Sequence, residues 1–91
     1  MTALLKGNTK KLNVQLSDGQ IIEFMPEMVH SDLLALTSNQ EIINRTERLI
    51  LVQLSSYTII KLHELQMIIY KTLDKLRYHK IASKYYNTEL S

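Results

Sequence analysis

The fold class is decided by residues 11–25, which read KLNVQLSDGQIIEFM. Apolar and polar residues alternate through the first half of this stretch, which is the period of a half-buried strand. The pair Asp18-Gly19 then supplies turn chemistry, because both residues tolerate the positive φ angles of tight hairpin turns. The second half of the stretch is apolar enough to form a return strand. Residues 11–25 therefore predict a β-hairpin.

Two registers of this hairpin are open from the sequence. A two-residue turn at Asp18-Gly19 pairs Val14 with Glu23, and directly paired residues share one face of a sheet. That register would place the Glu23 carboxylate on the apolar face. A three-residue loop pairs Val14 with Phe24 and turns Glu23 to the opposite face, so we favour the longer loop.

Pro26 ends the second strand, because it has no N–H for a strand ladder, and it suits the first turn of a helix. We expect a short helix over residues 27–37, with its apolar residues on one side. Ser31 provides an alternative N-cap, for a shorter helix that begins at Asp32.

A second helix is predicted from Asn39 by the capping box that Ser38 and Glu41 form. Its far end is ambiguous, because residues 48–54 are a short and mostly apolar run. Such a run fits the buried end of a helix or a short central strand. We favour the helix.

A third helix is expected over residues 57–78, with Ser55 or Ser56 as its N-cap. No glycine or proline follows Pro26, so nothing in the composition predicts a break in this helix. Its aliphatic residues recur at steps of three and four and form one apolar stripe. The stripe consists of Leu62, Leu65, Ile69, Leu73 and Leu76. A hairpin and two short helices would leave part of it uncovered, and uncovered apolar surface marks an interface.

These elements together predict a small α+β domain, in which an N-terminal β-hairpin packs on two or three helices, the last one long and amphipathic. Ninety-one residues suffice for one domain. We expect a flexible lead-in over residues 1–10, a single domain over residues 11–86 and a frayed tail over residues 87–91.

Residues 11–24 resemble the first hairpin of the elongin C and BTB/POZ family, where a strand, a Ser-Asp-Gly-type turn and a second strand precede short helices. Residues 48–56 are similar to the third strand of that fold and the helix start behind it. The resemblance implies an adaptor between proteins, and no functional residue is carried across. The same hairpin also resembles ubiquitin-like TGS domains.

The composition argues against catalysis. The chain has no cysteine and only two glycines, which excludes thiol chemistry and disulfides and leaves no residues for a phosphate-binding glycine loop. His63-Glu64 begins like a zinc-protease helix, but Met67 stands where that motif needs its second histidine. Carboxylates are scattered. We therefore predict no enzyme, no metal, no cofactor and no small-molecule substrate.

The same composition suggests where the protein acts. A small chain without cysteine is typical of a cytoplasmic protein, because small secreted domains usually rely on disulfides. No signal peptide is visible, and the longest apolar run, residues 49–52, is far too short to span a membrane.

Charge is unevenly distributed, although the net charge is only +2. Both ends of the chain are basic and the middle is acidic. In the C-terminal part, cations alternate with tyrosines, and such groups can neutralise phosphates and stack on bases. The candidate nucleic-acid contacts are Lys71, Lys75, Arg77, Lys80 and Lys84.

The sequence therefore predicts a protein-interaction module that acts through the apolar stripe, by self-association or by docking on a larger protein. The alternative is a nucleic-acid-binding regulator that uses the basic C-terminal segment.

Overall fold

A three-stranded sheet organises the computed structural model, which describes residues 11–90. Its strands are β1 (Asn13–Gln15), β2 (Ile21–Glu23) and β3 (Ile59–Lys61), in the order β2-β1-β3. The central strand β1 pairs antiparallel with β2 and parallel with β3. Since helices surround this sheet, the fold class is α+β, as predicted.

The hairpin closes with a three-residue loop that lies between Leu16 and Gln20. The Leu16 N–H donates to the Gln20 carbonyl at 2.8 Å, and the Gly19 N–H donates to the Leu16 carbonyl at 2.9 Å. Gly19 has φ +90°, a conformation that glycine adopts at little cost and that completes this type of hairpin loop. The loop has the predicted length but begins one residue earlier than expected.

This shift changes the register of the strands. Val14 lies opposite Ile22, and Asn13 lies opposite Glu23. The predicted pairing of Val14 with Phe24 is wrong, because the Phe24 N–H donates to the carbonyl of Leu12. Glu23 still faces away from Val14, since neighbouring residues of a strand point to opposite faces.

Residues 11–90 contain four α-helices rather than two or three. They are α1 (Pro26–Leu34), α2 (Gln40–Leu54), α3 (Leu62–Lys75) and α4 (His79–Tyr85), and a π-helix follows over Tyr86–Leu90. The ambiguous residues 48–54 are helical, as favoured. The third strand that the BTB/POZ resemblance implied within residues 48–56 lies instead at Ile59–Lys61.

The first two helices differ from the prediction at the end of α1 and at the N-cap of α2. Helix α1 has Pro26 in its first turn, as predicted, but it ends at Leu34 rather than at residue 37. Ser31 lies inside it, where its hydroxyl donates to the Glu27 carbonyl. The N-cap of α2 is Asn39 rather than Ser38. The Asn39 side chain accepts from the N–H groups of Glu41 and Ile42 at 3.0 and 3.2 Å, which satisfies two N–H groups of the first turn.

The two serines expected to cap the third helix belong to the end of α2. Ser55 Oγ donates to the Val52 carbonyl at 2.6 Å, and Ser56 Oγ donates to the Gln53 carbonyl at 3.3 Å. Carbonyls in the last turn of a helix have no partner within the helix, so hydroxyls can serve them.

The long helix predicted over residues 57–78 is wrong at both ends. Residues 59–61 of the predicted helix form β3, and α3 ends at Lys75. The chain then turns through Arg77, which has φ 71°. The Arg77 N–H donates to the Asp74 carbonyl and the Tyr78 N–H to the Leu73 carbonyl, both at 2.9 Å. These two bonds form a Schellman motif, which usually has glycine at the turning position.

One hydrophobic core joins the sheet to all four α-helices. Its buried residues include Val14 and Ile60 from the sheet, Ile43 from α2 and Tyr85 from α4. Leu90, in the segment expected to fray, packs against this core. The predicted lead-in, residues 1–10, and the last residue of the tail lie outside the described residues. None of the helices in residues 11–90 has both the length and the apolarity needed to cross a bilayer.

Candidate functional site

The predicted interface stripe lies mostly inside the core. Leu65, Ile69 and Leu73 are buried, and Leu62 and Leu76 are half-buried. The sheet and the neighbouring helices cover this face of α3, because the chain has more elements than the sequence predicted. The stripe as a whole is therefore not an exposed surface of this chain.

Part of the stripe nevertheless borders a cavity, which we call the groove. The groove has a volume of about 380 Å³ and opens to solvent between the sheet, α1, α3 and the π-helix. This volume is within the usual range of ligand pockets, about 300–1,000 Å³. Its apolar walls are formed by Val14, Leu16, Ile22, Met28, Val29, Leu62, Leu65 and Ile69. Three residues of the predicted stripe thus line the groove.

The polar lining of the groove is acidic. It consists of Ser31, Asp32, Gln66 and Glu89, so no cationic side chain of residues 11–90 lines the groove. Asp32 is half-buried, and Glu89 is exposed. Burial raises the pKa of Asp32, and the charge of Glu89 raises it further. Both effects disfavour the ionised form of the Asp32 carboxyl group.

Tyr85, in α4, is only 1% exposed and does not line the groove. Its hydroxyl has no hydrogen-bond partner within residues 11–90. Burial raises the pKa of Tyr85 strongly, and the charges of Asp32 and Glu89 add to the effect.

Strand β2 forms one rim of the groove. Ile22 lines the groove and is 37% exposed, whereas its neighbour Ile21 is 56% exposed and points to the opposite face of the sheet. These two residues have the same side chain on the same strand. They therefore distinguish the groove from the outer face of the sheet.

The predicted nucleic-acid contacts are all on the surface. Lys71, Lys75, Arg77, Lys80 and Lys84 are exposed, and none of them forms an ion pair within the described part of the chain.

These cations do not share one helical face. Lys71 and Lys75 lie on α3 and Lys80 and Lys84 on α4, and Arg77 lies in the turn between these two helices.

The tyrosines between these cations are less available than the sequence indicates. Tyr85 is buried, and Tyr70 and Tyr78 are half-buried. The rings of Tyr70 and Tyr86 pack against each other with centroids 5.3 Å apart. Only Tyr86 among these four is exposed, so the base-stacking part of the prediction has little surface to act through.

The histidines are separated from one another. His30 contacts Glu47 at 3.2 Å, and His79 contacts Asp74 at 2.7 Å. His63 is exposed. Across residues 11–90, no three acidic or histidine side chains are grouped in a way that could hold a metal ion.

The groove residues missed by the sequence analysis include Val14, Ile22, Asp32 and Glu89. One signal was present for Asp32, which lies between the buried Val29 and Leu33 on the apolar side of α1. A carboxylate at such a position is often functional. The sequence contains no comparable signal for Glu89.

Comparison with known proteins adds no assignment, since neither a protein-family model nor a curated protein matches the chain.

Proposed function

We propose that this chain is a non-enzymatic protein-interaction module whose groove receives an apolar segment of another polypeptide. The observation that carries the proposal is the groove itself, an open cavity of about 380 Å³ with eight apolar lining residues. Four of these residues are buried, and Leu16, Ile22, Met28 and Leu62 keep part of the lining accessible to solvent. Apolar surface that stays accessible in a folded domain is typical of binding sites. A cytoplasmic location is part of the proposal, because a chain without cysteine has no disulfide to form in an oxidising compartment.

The groove replaces the full stripe as the proposed contact surface. Leu62, Leu65 and Ile69 keep a role in it as wall residues. Leu73 is buried in the core, and Leu76 is half-buried. The partner is either a larger protein or a second copy of this chain, and the experiment below separates the two.

The test uses two matched variants of strand β2. Ile22→Glu places a carboxylate at the groove rim, and Ile21→Glu places the same group on the opposite face of the sheet. Both positions are exposed, so both variants are expected to fold, which circular dichroism and urea unfolding verify. In pull-downs from native extract, Ile22→Glu loses the proteins that the wild type retains, and Ile21→Glu keeps them.

Loss of capture by Ile21→Glu alone would move the interface to the outer face of the sheet and refute the groove. Equal capture by all three proteins would refute it as well. Light scattering at high concentration identifies self-association: a wild-type dimer that Ile22→Glu converts to a monomer means that the partner is a second copy.

Nucleic-acid binding is a second candidate, and it is favoured by one observation: five exposed cations without ion pairs in the described part of the chain. Basic groups of this kind bind phosphates and release counterions, so affinity falls steeply as salt rises.

The test of this candidate is a mobility-shift titration with DNA and with RNA at several salt concentrations. Lys80→Gln with Lys84→Gln is expected to weaken binding and to reduce its salt dependence, whereas Lys11→Gln, far along the chain, leaves both unchanged. No mobility shift at low salt would exclude this function.

A further inference from the structure

We propose that the groove selects a partner segment in which a lysine or arginine adjoins the apolar residues. This inference rests on the proposed function and adds the chemistry of the partner. The juxtaposition that carries it is a pair of carboxylates, Asp32 and Glu89, which we call the acidic end, in the lining of an otherwise mostly apolar groove.

The charge of the groove is opposite in sign to the net charge of the chain. The chain carries a net charge of +2, yet both charged residues that line the groove are acidic. Neither Asp32 nor Glu89 forms a side-chain hydrogen bond or ion pair within residues 11–90. Two like charges at one site repel each other, and a cation between them removes that repulsion.

The two carboxylates receive no hydrogen bond from the neighbouring serine. Ser31 lines the same groove, but its hydroxyl donates to the Glu27 carbonyl at 2.6 Å. Ionised carboxylates can only accept hydrogen bonds, so both lack a donor within residues 11–90.

The acidic end therefore has two acceptor groups, the carboxylates of Asp32 and Glu89, and no cationic side chain. A lysine ammonium has three N–H donors and an arginine guanidinium has five. Charge-assisted bonds to carboxylates are stronger than neutral ones. The aliphatic stem of either side chain can lie along the apolar walls while its charged end reaches the carboxylates.

A divalent metal is a poorer fit to the same groups. Calcium requires six to eight oxygen ligands, and the groove offers two carboxylates and one hydroxyl beside apolar walls. An organic cation with an apolar stem matches both parts of the lining. A polypeptide segment with a basic residue beside apolar residues has both of these features and can bind in the groove.

The experiment compares two probes that differ only in charge, hexylammonium and 1-hexanol. Amide shifts in ¹H–¹⁵N spectra are followed during titration at pH 7 and low salt. Both probes are expected to shift the amides of Val29 and Ile69 in the groove. Hexylammonium is expected to bind about tenfold more tightly, the usual effect of a charge-assisted hydrogen bond.

The variant series assigns this preference to the acidic end. Asp32→Asn combined with Glu89→Gln abolishes the preference and leaves hexanol binding unchanged. Glu23→Gln, which removes a carboxylate from the outer face of the sheet, keeps it.

The outcomes separate this inference from the proposed function. Equal binding of both probes by the wild type would overturn the cation preference and leave the groove as an apolar binding site. Absence of groove shifts with either probe would overturn both proposals. A preference that survives in the double variant would place the cation elsewhere and overturn the assignment to Asp32 and Glu89.

One further variant tests whether the occupant comes from this chain. Residues 4–6 read Leu-Leu-Lys, which has the required chemistry. If Lys6→Gln tightens hexylammonium binding several-fold, the groove serves the chain's own N-terminal segment and the partner proposal is overturned. Unchanged affinity supports an occupant from another polypeptide.

Discussion

At the scale of single residues, Asp32 carries a charge that folding makes unfavourable. Burial and the neighbouring Glu89 both raise its pKa above the ordinary value of 3.8. The carboxyl group therefore binds a proton more readily in the folded chain than in the unfolded chain. Its contribution to stability is greatest at low pH and decreases as the pH rises through the raised pKa.

The first prediction follows from this sign. Asp32→Asn is expected to increase the free energy of unfolding at pH 7, because it removes the buried charge. The increase shrinks as the pH falls towards 4, where the wild-type carboxyl becomes protonated. Urea unfolding between pH 3 and pH 7 measures both proteins. Glu23→Gln, which removes an exposed carboxylate, serves as the control, and an increase that is constant with pH would contradict the prediction.

Two buried threonines provide a second prediction at this scale. Thr46 is buried and its hydroxyl has no partner within residues 11–90. The hydroxyl of Thr72, also buried, donates to the Ile68 carbonyl at 2.7 Å and accepts from the Gln53 side chain at 2.8 Å.

Replacement of each threonine by valine keeps the shape and removes the hydroxyl. Thr46→Val is expected to stabilise the protein by about 1 kcal/mol, because an unsatisfied buried group is removed. Thr72→Val is expected to destabilise it by about 1 kcal/mol or more, because the Gln53 amide loses the closer of its two acceptors. Urea unfolding of both variants measures these values, and effects of the same sign would refute the hydrogen-bond assignment.

At the scale of elements, the most consequential feature is the end of α3. The chain leaves the helix through a left-handed residue, Arg77, and this conformation costs a non-glycine residue about 1–2 kcal/mol. The two Schellman hydrogen bonds and the packing of Tyr78 on the core compensate for that cost. The turn then allows α4 to fold back against α3.

The third prediction tests this turn. Arg77→Gly is expected to stabilise the protein by about 0.5–1 kcal/mol, because glycine adopts positive φ without strain. Lys75→Gly, two residues earlier and inside the helix, is expected to destabilise it by a similar amount. Thermal and urea unfolding compare the two variants. Loss of stability in Arg77→Gly would mean that the arginine side chain supports the turn.

The same turn explains why the helix boundary could not be predicted. The argument for an uninterrupted helix over residues 57–78 relied on the absence of glycine and proline after Pro26. Helices commonly stop at glycine, but tertiary packing can impose the same turn on another residue. Here the apolar period continues to Leu76 and contains no sign of the break.

At the scale of the whole molecule, β3 joins two distant parts of the chain. Asn13, Val14 and Gln15 pair with Ile59, Ile60 and Lys61, more than 40 residues later. Ile60 is 1% exposed on the core face, and Ile59 is 48% exposed on the outer face. Only one of these two isoleucines therefore stabilises the packing of the sheet on the helices.

The fourth prediction compares them. Ile60→Ala is expected to destabilise the protein by about 3 kcal/mol, because it opens a cavity in the core. Ile59→Ala is expected to cost less than about 1 kcal/mol, because its side chain already contacts solvent. Urea unfolding distinguishes the two, and comparable losses would contradict the parallel register of β3.

The candidate site also depends on how the elements of the whole molecule pack together. Leu62, Leu65 and Ile69 were predicted as contact residues from their spacing, and they line the groove. The acidic end was not predicted, because Asp32 and Glu89 come from two elements that are distant in sequence. Periodicity describes one element at a time and contains no information about which elements meet.

The sequence by itself determined the hairpin, the length of its loop and the α+β class, and it favoured the helical state of residues 48–54. These features follow from local chemistry: strand alternation and a glycine that adopts positive φ. Only the tertiary structure decided that residues 59–61 form a strand, that α3 ends before Arg77 and that Asp32 and Glu89 line one groove. Each of these depends on non-local contacts, whose packing energy outweighs the local preference of a short segment.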